Sequence, residues 1–273
     1  MTHEEIQSQR HMMVVQHNDL VRDAKNLLTA QEQNMLYYLV SKVKPDDKDF
    51  MTVHFTVEEF GQVCGIDTSG KNYTDVKKAL KTLADKSVWA YDKTENADIL
   101  LKWIDTYRIE RDSGKMTATL SQSVKPFLIG LIHRGNYTES ELVTFLAMRS
   151  KYAKRLYELL KSHVNMKYPA AYSPATVVYA LPELARLLDA ETYTTFKDLR
   201  VKAIDPAIKE IVGLSDILAS YETRTGPRRK VEAVAFTVRL KEPHVRDTVR
   251  AEAHAALDGG REERRARKTG PAG

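Results

Sequence analysis

The feature that most constrains this chain is that it repeats itself. Leu36-Tyr37-Tyr38-Leu39 recurs as Leu156-Tyr157-Glu158-Leu159, and Tyr73-Thr74-Asp75-Val76-Lys77 recurs as Tyr193-Thr194-Thr195-Phe196-Lys197, both at a separation of 120 residues. Between them, Val57-Glu58-Glu59-Phe60-Gly61-Gln62-Val63 corresponds to Leu181-Pro182-Glu183-Leu184-Ala185-Arg186-Leu187 at a separation of 124. Self-similarity in the same order indicates one supersecondary unit used twice. Each half then closes on a hairpin. Trp103 to Ile109 turns at Asp112-Ser113-Gly114 into Lys115 to Leu120, and Ile217 to Thr223 turns at Thr225-Gly226-Pro227 into Lys230 to Leu240.

Each half reads as helix, short strand, helix, longer helix, hairpin. Thr29 with Glu32 forms a capping box ahead of Met35, Leu36, Leu39, Val40 and Val43 at helical spacing, and Pro45-Asp46-Asp47 ends that helix. Thr56 with Glu59 repeats the cap for a short helix ending at Gly65. The second half shows a long helix through Phe145, Tyr152, Leu156, Leu159 and Leu160. It continues with a strand at Val177 to Ala180 and a short helix entered at Pro182. This order is the winged-helix layout, an α+β fold of two tandem units. The expected division is an N-terminal tail at 1–13, a first domain at 14–136, a second at 137–241, and a basic, flexible or frayed tail at 242–273.

Length agrees, because 273 residues is about two domains at roughly 150 residues each. A lone Cys64 permits neither an internal disulfide nor a cysteine zinc cage and points to a reducing, cytoplasmic setting. Apolar stretches such as Pro126 to Ile132 fall far short of the ~20 residues that span a bilayer, so no membrane role is expected. The net charge of +5 is concentrated late in the chain. Arg261 to Lys268 carries five basic and two acidic residues, and Thr192 to Lys241 carries ten and six. Such asymmetry indicates a polyanionic partner.

On the helix Lys71 to Lys86, Tyr73, Val76, Leu80 and Leu83 form the core stripe, while Lys71, Lys77, Lys78 and Lys81 gather on a neighbouring arc. In the second half Phe196, Leu199, Ala203, Ala207 and Ile211 face the core, with Lys197 and Lys202 towards the other side. Arg200 falls close to the apolar arc and reads equally as a snorkelling core-edge residue. Pro206 removes one helical hydrogen bond. The second hairpin tip adds Arg224, Arg228, Arg229 and Lys230. One such helix alone reads as a solvated face. Two in equivalent positions with a basic wing point to double-stranded DNA, a helix entering the major groove and the wing neutralising phosphates.

Enzymatic readings fail on specifics. Gly65-Ile66-Asp67-Thr68-Ser69-Gly70-Lys71-Asn72 nearly spells a phosphate-binding loop, but Asn72 stands where magnesium binding needs Ser or Thr, and a helix precedes it instead of a strand. The eight histidines are scattered without metal-ligand spacing, so neither a metal nor another cofactor is expected.

Val15-Gln16-His17-Asn18-Asp19-Leu20, Leu36-Tyr37-Tyr38-Leu39 and Met148-Arg149-Ser150-Lys151-Tyr152-Ala153-Lys154-Arg155-Leu156-Tyr157-Glu158-Leu159-Leu160 closely resemble the replication initiator (Rep) proteins of iteron-containing plasmids. So do Phe196-Lys197-Asp198-Leu199-Arg200 and Asp205-Pro206-Ala207-Ile208-Lys209-Glu210-Ile211. The resemblance covers about Val14 to Leu240. It implies two winged-helix domains, the second making the principal contacts to directly repeated origin sequences and the first adding contacts and mediating dimerisation. It also implies monomers that open the origin and recruit the host initiator and helicase, and dimers that repress their own gene. By position, the second recognition helix would start near Tyr193 and present Lys197, Arg200 and Lys202, with Arg228 and Arg229 on the wing. Val201 departs from the polar or basic residue the resemblance implies there. A winged-helix transcriptional repressor is the alternative within DNA binding, and a nucleotide-hydrolysing enzyme using Gly65 to Asn72 the alternative outside it.

Overall fold

The computed structural model describes residues 1–25, 27–44, 47–92, 96–164 and 170–269. The chain opens with α1 (His3–Arg10), β1 (Met13–His17), α2 (Asn18–Asp23) and α3 (Ala30–Val40). Next come β2 (Val53–Thr56), α4 (Val57–Cys64), α5 (Lys71–Asp85) and the hairpins β3 (Ser87–Asp92)–β4 (Ala97–Lys102) and β5 (Ile104–Ile109)–β6 (Lys115–Leu120). A linking stretch holds α6 (Leu131–Arg134), β7 (Tyr137–Glu141), α7 (Leu142–Ala147) and α8 (Lys151–Lys161). The second unit runs β8 (Ala175–Ala180), α9 (Leu181–Leu187), α10 (Phe196–Leu199), a π turn (Arg200–Ile204), α11 (Asp205–Leu214), β9 (Ile217–Thr225) and β10 (Val231–Leu240). The last helix is α12 (Pro243–Thr269).

The repeat is visible in the sheets. The first unit has strand order β2-β6-β5 and the second β8-β10-β9, each antiparallel, with the helix pair inserted after the first strand. The first unit also carries β3–β4, an insertion that the second lacks. Both expected capping boxes form: Thr29 Oγ1 accepts from Glu32 N and Thr56 Oγ1 from Glu59 N, while each glutamate accepts from its cap residue's N–H at 2.7 Å. Helix α3 ends at its Ser41 cap, and Pro45-Asp46, read as its stop signal, lie outside the described residues.

The repeated helices α3 and α8 are the centre of one hydrophobic cluster that runs through both units. Met35 to Val40 are all buried, as are Ala153 to Lys161. The expected single long helix is instead broken between α7 and α8. Met148 turns extended, and Ser150 caps the new start by accepting from Tyr152 N. Two charged groups hold the break: Glu210 accepts from Arg149 N and Ser150 N, and the buried Lys154 ammonium donates to Phe145 O and Met148 O. Four charged residues of the Arg149–Leu160 motif and its edge, Lys154, Arg155, Glu158 and Lys161, are thus structural. Arg155 spans to Leu187 O and Ala24 O, and Lys161 pairs with Asp216.

Two termini differ from expectation. Residues 1–13 include α1, whose Arg10 is fully buried. Residues 243–259 are not a loose tail: Val249, Ala253 and Leu257 are buried, Arg250 grips Glu141 through two nitrogens at 2.9 and 2.7 Å, and Asp258 pairs with Arg10. Long-range burial, invisible in a local reading, makes this helix. The side chains of Arg261 to Lys268 lie outside the described residues.

Candidate nucleic-acid interface

In the first unit α4, a turn and α5 form a helix-turn-helix. Gly65 closes α4 in the left-handed region at φ 65°, and Asp67 accepts from Ser69 N at 3.1 Å. A Cβ on Gly65 would meet Leu257 O of α12 at 2.5 Å, so this turn is both strained for other residues and covered. The segment Gly65 to Asn72 is therefore a helix-to-helix turn, Gly65 to Gly70, running into the first residues of α5, and it is preceded by α4 instead of the strand a phosphate-binding loop requires.

Val76, Leu80 and Leu83 bury one face of α5, as expected. Lys71, Lys78 and Lys81 stand exposed on the other, with Thr74 between them. Lys77 does not join them. Its ammonium lies 4.4 Å from the Tyr73 ring centroid and donates to Glu110 O and Arg111 O, at 3.4 and 3.3 Å, in the β5–β6 turn. The physical reason is register: residue 77 faces the hairpin that folds back onto α5. Gly114 in this turn has φ 67°, and a Cβ there would lie 2.7 Å from Tyr73 Oη, so the wing seats on the start of the helix.

The tip of this wing carries Arg108, Arg111 and Lys115, all exposed. The sequence reading passed over these three. Their signal was the repeat itself, since they occupy the hairpin that corresponds to the basic tip in the second unit.

In the second unit the helix expected to read DNA begins at Phe196, because Thr195 is extended and its hydroxyl accepts from Asp198 N at 3.1 Å. Tyr193 therefore precedes the helix. It packs half-buried, accepts from Tyr152 Oη at 3.2 Å and has Lys202 Nζ 5.3 Å from its ring centroid. Leu199, Ala203, Ala207 and Ile211 are buried as expected. Pro206 is absorbed by the π turn, in which the Asp205 N–H reaches Arg200 O, so the helix stays continuous through α11.

Lys197, Arg200 and Lys202 are exposed. Arg200 is not a core-edge residue, since the π turn rotates it outward to 3.7 Å from Asp205. Lys202 pairs with Asp198 at 2.9 Å, which pushes the Asp198 carboxyl below its usual range and raises Lys202. Beyond them the β9–β10 tip presents Arg224, Arg228, Arg229 and Lys230, all exposed, with Arg228 and Arg229 both at φ 60°. Lys197 and these four form no salt bridge with another described residue, so their charge is turned to solvent.

Each unit thus sets an exposed helix face beside a cationic hairpin. Among the described residues no group of three or more His, Cys, Asp or Glu could hold a metal ion, and no helix is long and apolar enough to cross a membrane. Cys64 is buried, which pushes its thiol up to about 12.

Comparison with known proteins agrees with this layout. A family model described as Initiator Replication protein, WH1, matches residues 13–161, and one described as Initiator Rep protein, WH2, matches residues 180–238. Among solved structures, the Pi initiator protein in complex with iteron DNA matches at a TM-score of 0.70 and 17% identity, covering 85% of this chain and 99% of that one. Domains 2 and 3 of RctB match at a TM-score of 0.45 and 10% identity, covering 80% and 85%. The two winged-helix units and the resemblance read from the sequence are both borne out, and the chain belongs to the initiator replication protein family.

Proposed function

We propose that this protein initiates plasmid replication by binding directly repeated origin sequences as a monomer, one winged helix per successive groove segment, and deforming the DNA so that adjacent duplex melts. The observation that carries this reading is the pairing, in one chain, of two equivalent helix-turn-helix surfaces with cationic hairpins, α5 with Arg108, Arg111 and Lys115, and α10 with Arg224, Arg228, Arg229 and Lys230. Tandem recognition elements read a long asymmetric site without requiring a palindrome. Bending several protomers' worth of DNA lowers the cost of opening a flanking segment. No nucleotide hydrolysis enters this mechanism.

The contact set proposed is Lys71, Lys78 and Lys81 with the first wing, and Lys197, Arg200, Lys202, Arg224, Arg228, Arg229 and Lys230 in the second unit, with Tyr193 supporting Lys202. The Pi initiator protein, similar in fold, has been solved on iteron DNA. The family resemblance extends the reading to dimers that repress the protein's own gene and to recruitment of the host initiator and helicase in the cytoplasm.

Selection of sites from random duplex DNA at about 150 mM salt, where phosphate-driven binding is suppressed, tests the reading. An asymmetric motif spanning about two helical turns and bound side by side on tandem copies is expected. An inverted repeat bound only by dimers would instead identify a repressor.

A further inference from the structure

The recognition helix of the second unit carries one side chain that folding does not account for. Val201 keeps 51% of its surface exposed, while Leu199, Ala203, Ile204 and Ala207 around it are buried. The π turn sets this arrangement. A regular α-helix advances about 100° per residue, which would put residue 204 on the same side as residue 197. The wider turn at Arg200–Ile204 rotates Ile204 into the core and leaves Lys197, Val201 and Asp205 as an exposed ridge. Arg200 and Lys202 flank that ridge, drawn towards the carboxylates of Asp205 and Asp198. An apolar side chain therefore sits in the middle of a charged ridge, within the first two turns of the helix, where recognition helices meet base edges.

Resting on the origin-binding reading above, we propose that Val201 is a specificity-determining residue that reads the C5 methyl group of a thymine in the major groove. Thymine's methyl is the one apolar group that base pairs present there. Valine neither donates nor accepts a hydrogen bond, so facing it with the polar edge of guanine, adenine or cytosine strips that edge of water without replacement. The residue thus favours thymine and disfavours the other three bases by the same contact.

The test replaces each thymine of the selected duplex in turn with deoxyuridine, which removes the methyl and keeps the base pair. Wild type and Val201→Ala are compared on every duplex. The substitution lies at an exposed helix position, so unchanged melting temperature and unchanged binding to random duplex confirm that it acts locally. One thymine is expected at which deoxyuridine weakens wild type about fourfold, the worth of one buried methyl-sized group. Val201→Ala should lose a similar factor on the thymine duplex and nothing further on the deoxyuridine duplex. If wild type and variant respond alike to every replacement, Val201 does not read a methyl group, while origin binding stands. If no sequence is enriched in the selection, the origin-binding reading fails and this proposal with it.

Discussion

Tyr37 and Tyr157, the same position of the two repeats, pack on the same residue: Phe145 stacks on Tyr37 at a centroid distance of 4.1 Å and meets Tyr157 edge-on at 5.3 Å. The repeat is thus more than two copies of a fold joined by a linker. Its two central helices share one aromatic cluster, which couples the units mechanically. Phe145→Ala is expected to cost about 3–5 kcal/mol through the cavity it leaves. Thermal denaturation should show one cooperative transition at lower temperature, and two separated transitions would contradict a shared core.

Lys77 and Lys78 are adjacent on α5 but serve different ends. Lys77→Ala should lower stability by about 1 kcal/mol, since its hydrogen bonds and ring contact tie the first wing to the helix. Lys78→Ala should leave the melting temperature unchanged and weaken DNA binding. Paired melting and binding measurements separate the two, and equal effects on both observables would refute the division.

In the second unit Lys197 forms no salt bridge among the described residues, whereas Lys202 is held by Asp198. Lys197→Ala should therefore cost more in specific binding, about 1–3 kcal/mol, than Lys202→Ala. Arg228→Ala and Arg229→Ala should weaken specific and random DNA alike and reduce the slope of log K against log salt by about 1 each. Salt titrations on both DNAs check this.

Arg10 joins the two ends of the chain. It donates to Val63 O at 2.8 Å and Gln62 O at 3.2 Å at the end of α4, and pairs with Asp258 of α12 at 2.9 Å. Arg10→Met should destabilise by about 2–4 kcal/mol, because the buried Val63 carbonyl loses its donor, Gln62 O keeps only the Gly65 N–H, and the ion pair with Asp258 is lost. Asp258→Asn should cost about 1 kcal/mol or less, since that carboxylate is partly in water. Denaturant midpoints of the two variants decide the order.

Burial pushes His163 down to about 4, with Arg22 adding to the effect, and burial with neighbouring His11 and Arg10 does the same to His254. Asp258 and Glu141 oppose the shift at His254 without reversing it. The unfolded chain titrates these histidines near 6.5 and so takes up protons that the fold refuses between those values. Stability should accordingly fall as pH drops from about 6.5 to about 4. His163 Nε2 and Tyr179 Oη are hydrogen-bonded at 3.1 Å, and a glutamine amide can both donate and accept there, so His163→Gln is a fitting replacement. That variant should flatten the slope of melting temperature against pH in this window, and an unaltered slope would count against it.

Much of this protein was written locally. The capping boxes at Thr29 and Thr56, the strands on either side of Gly114 and the alternation of helix and strand follow from contacts a few residues apart, and the repeat doubled every such signal. Local rules also exposed Lys71, Lys78, Lys81 and the second wing, because apolar periodicity defines the opposite face. What failed locally was decided at a distance. The break between α7 and α8 depends on Glu210 and Lys154, the docking of α12 on Arg10 and Glu141, and the turning of Lys77 away from solvent on a hairpin more than thirty residues later. The exposure of Arg200 and the burial of Ile204 go with the π turn just ahead of Pro206, which a wheel drawn at a fixed angle per residue cannot show. Short-range hydrogen bonds and periodicity fix the elements, while burial of charge and the meeting of remote side chains fix which face each residue finally presents.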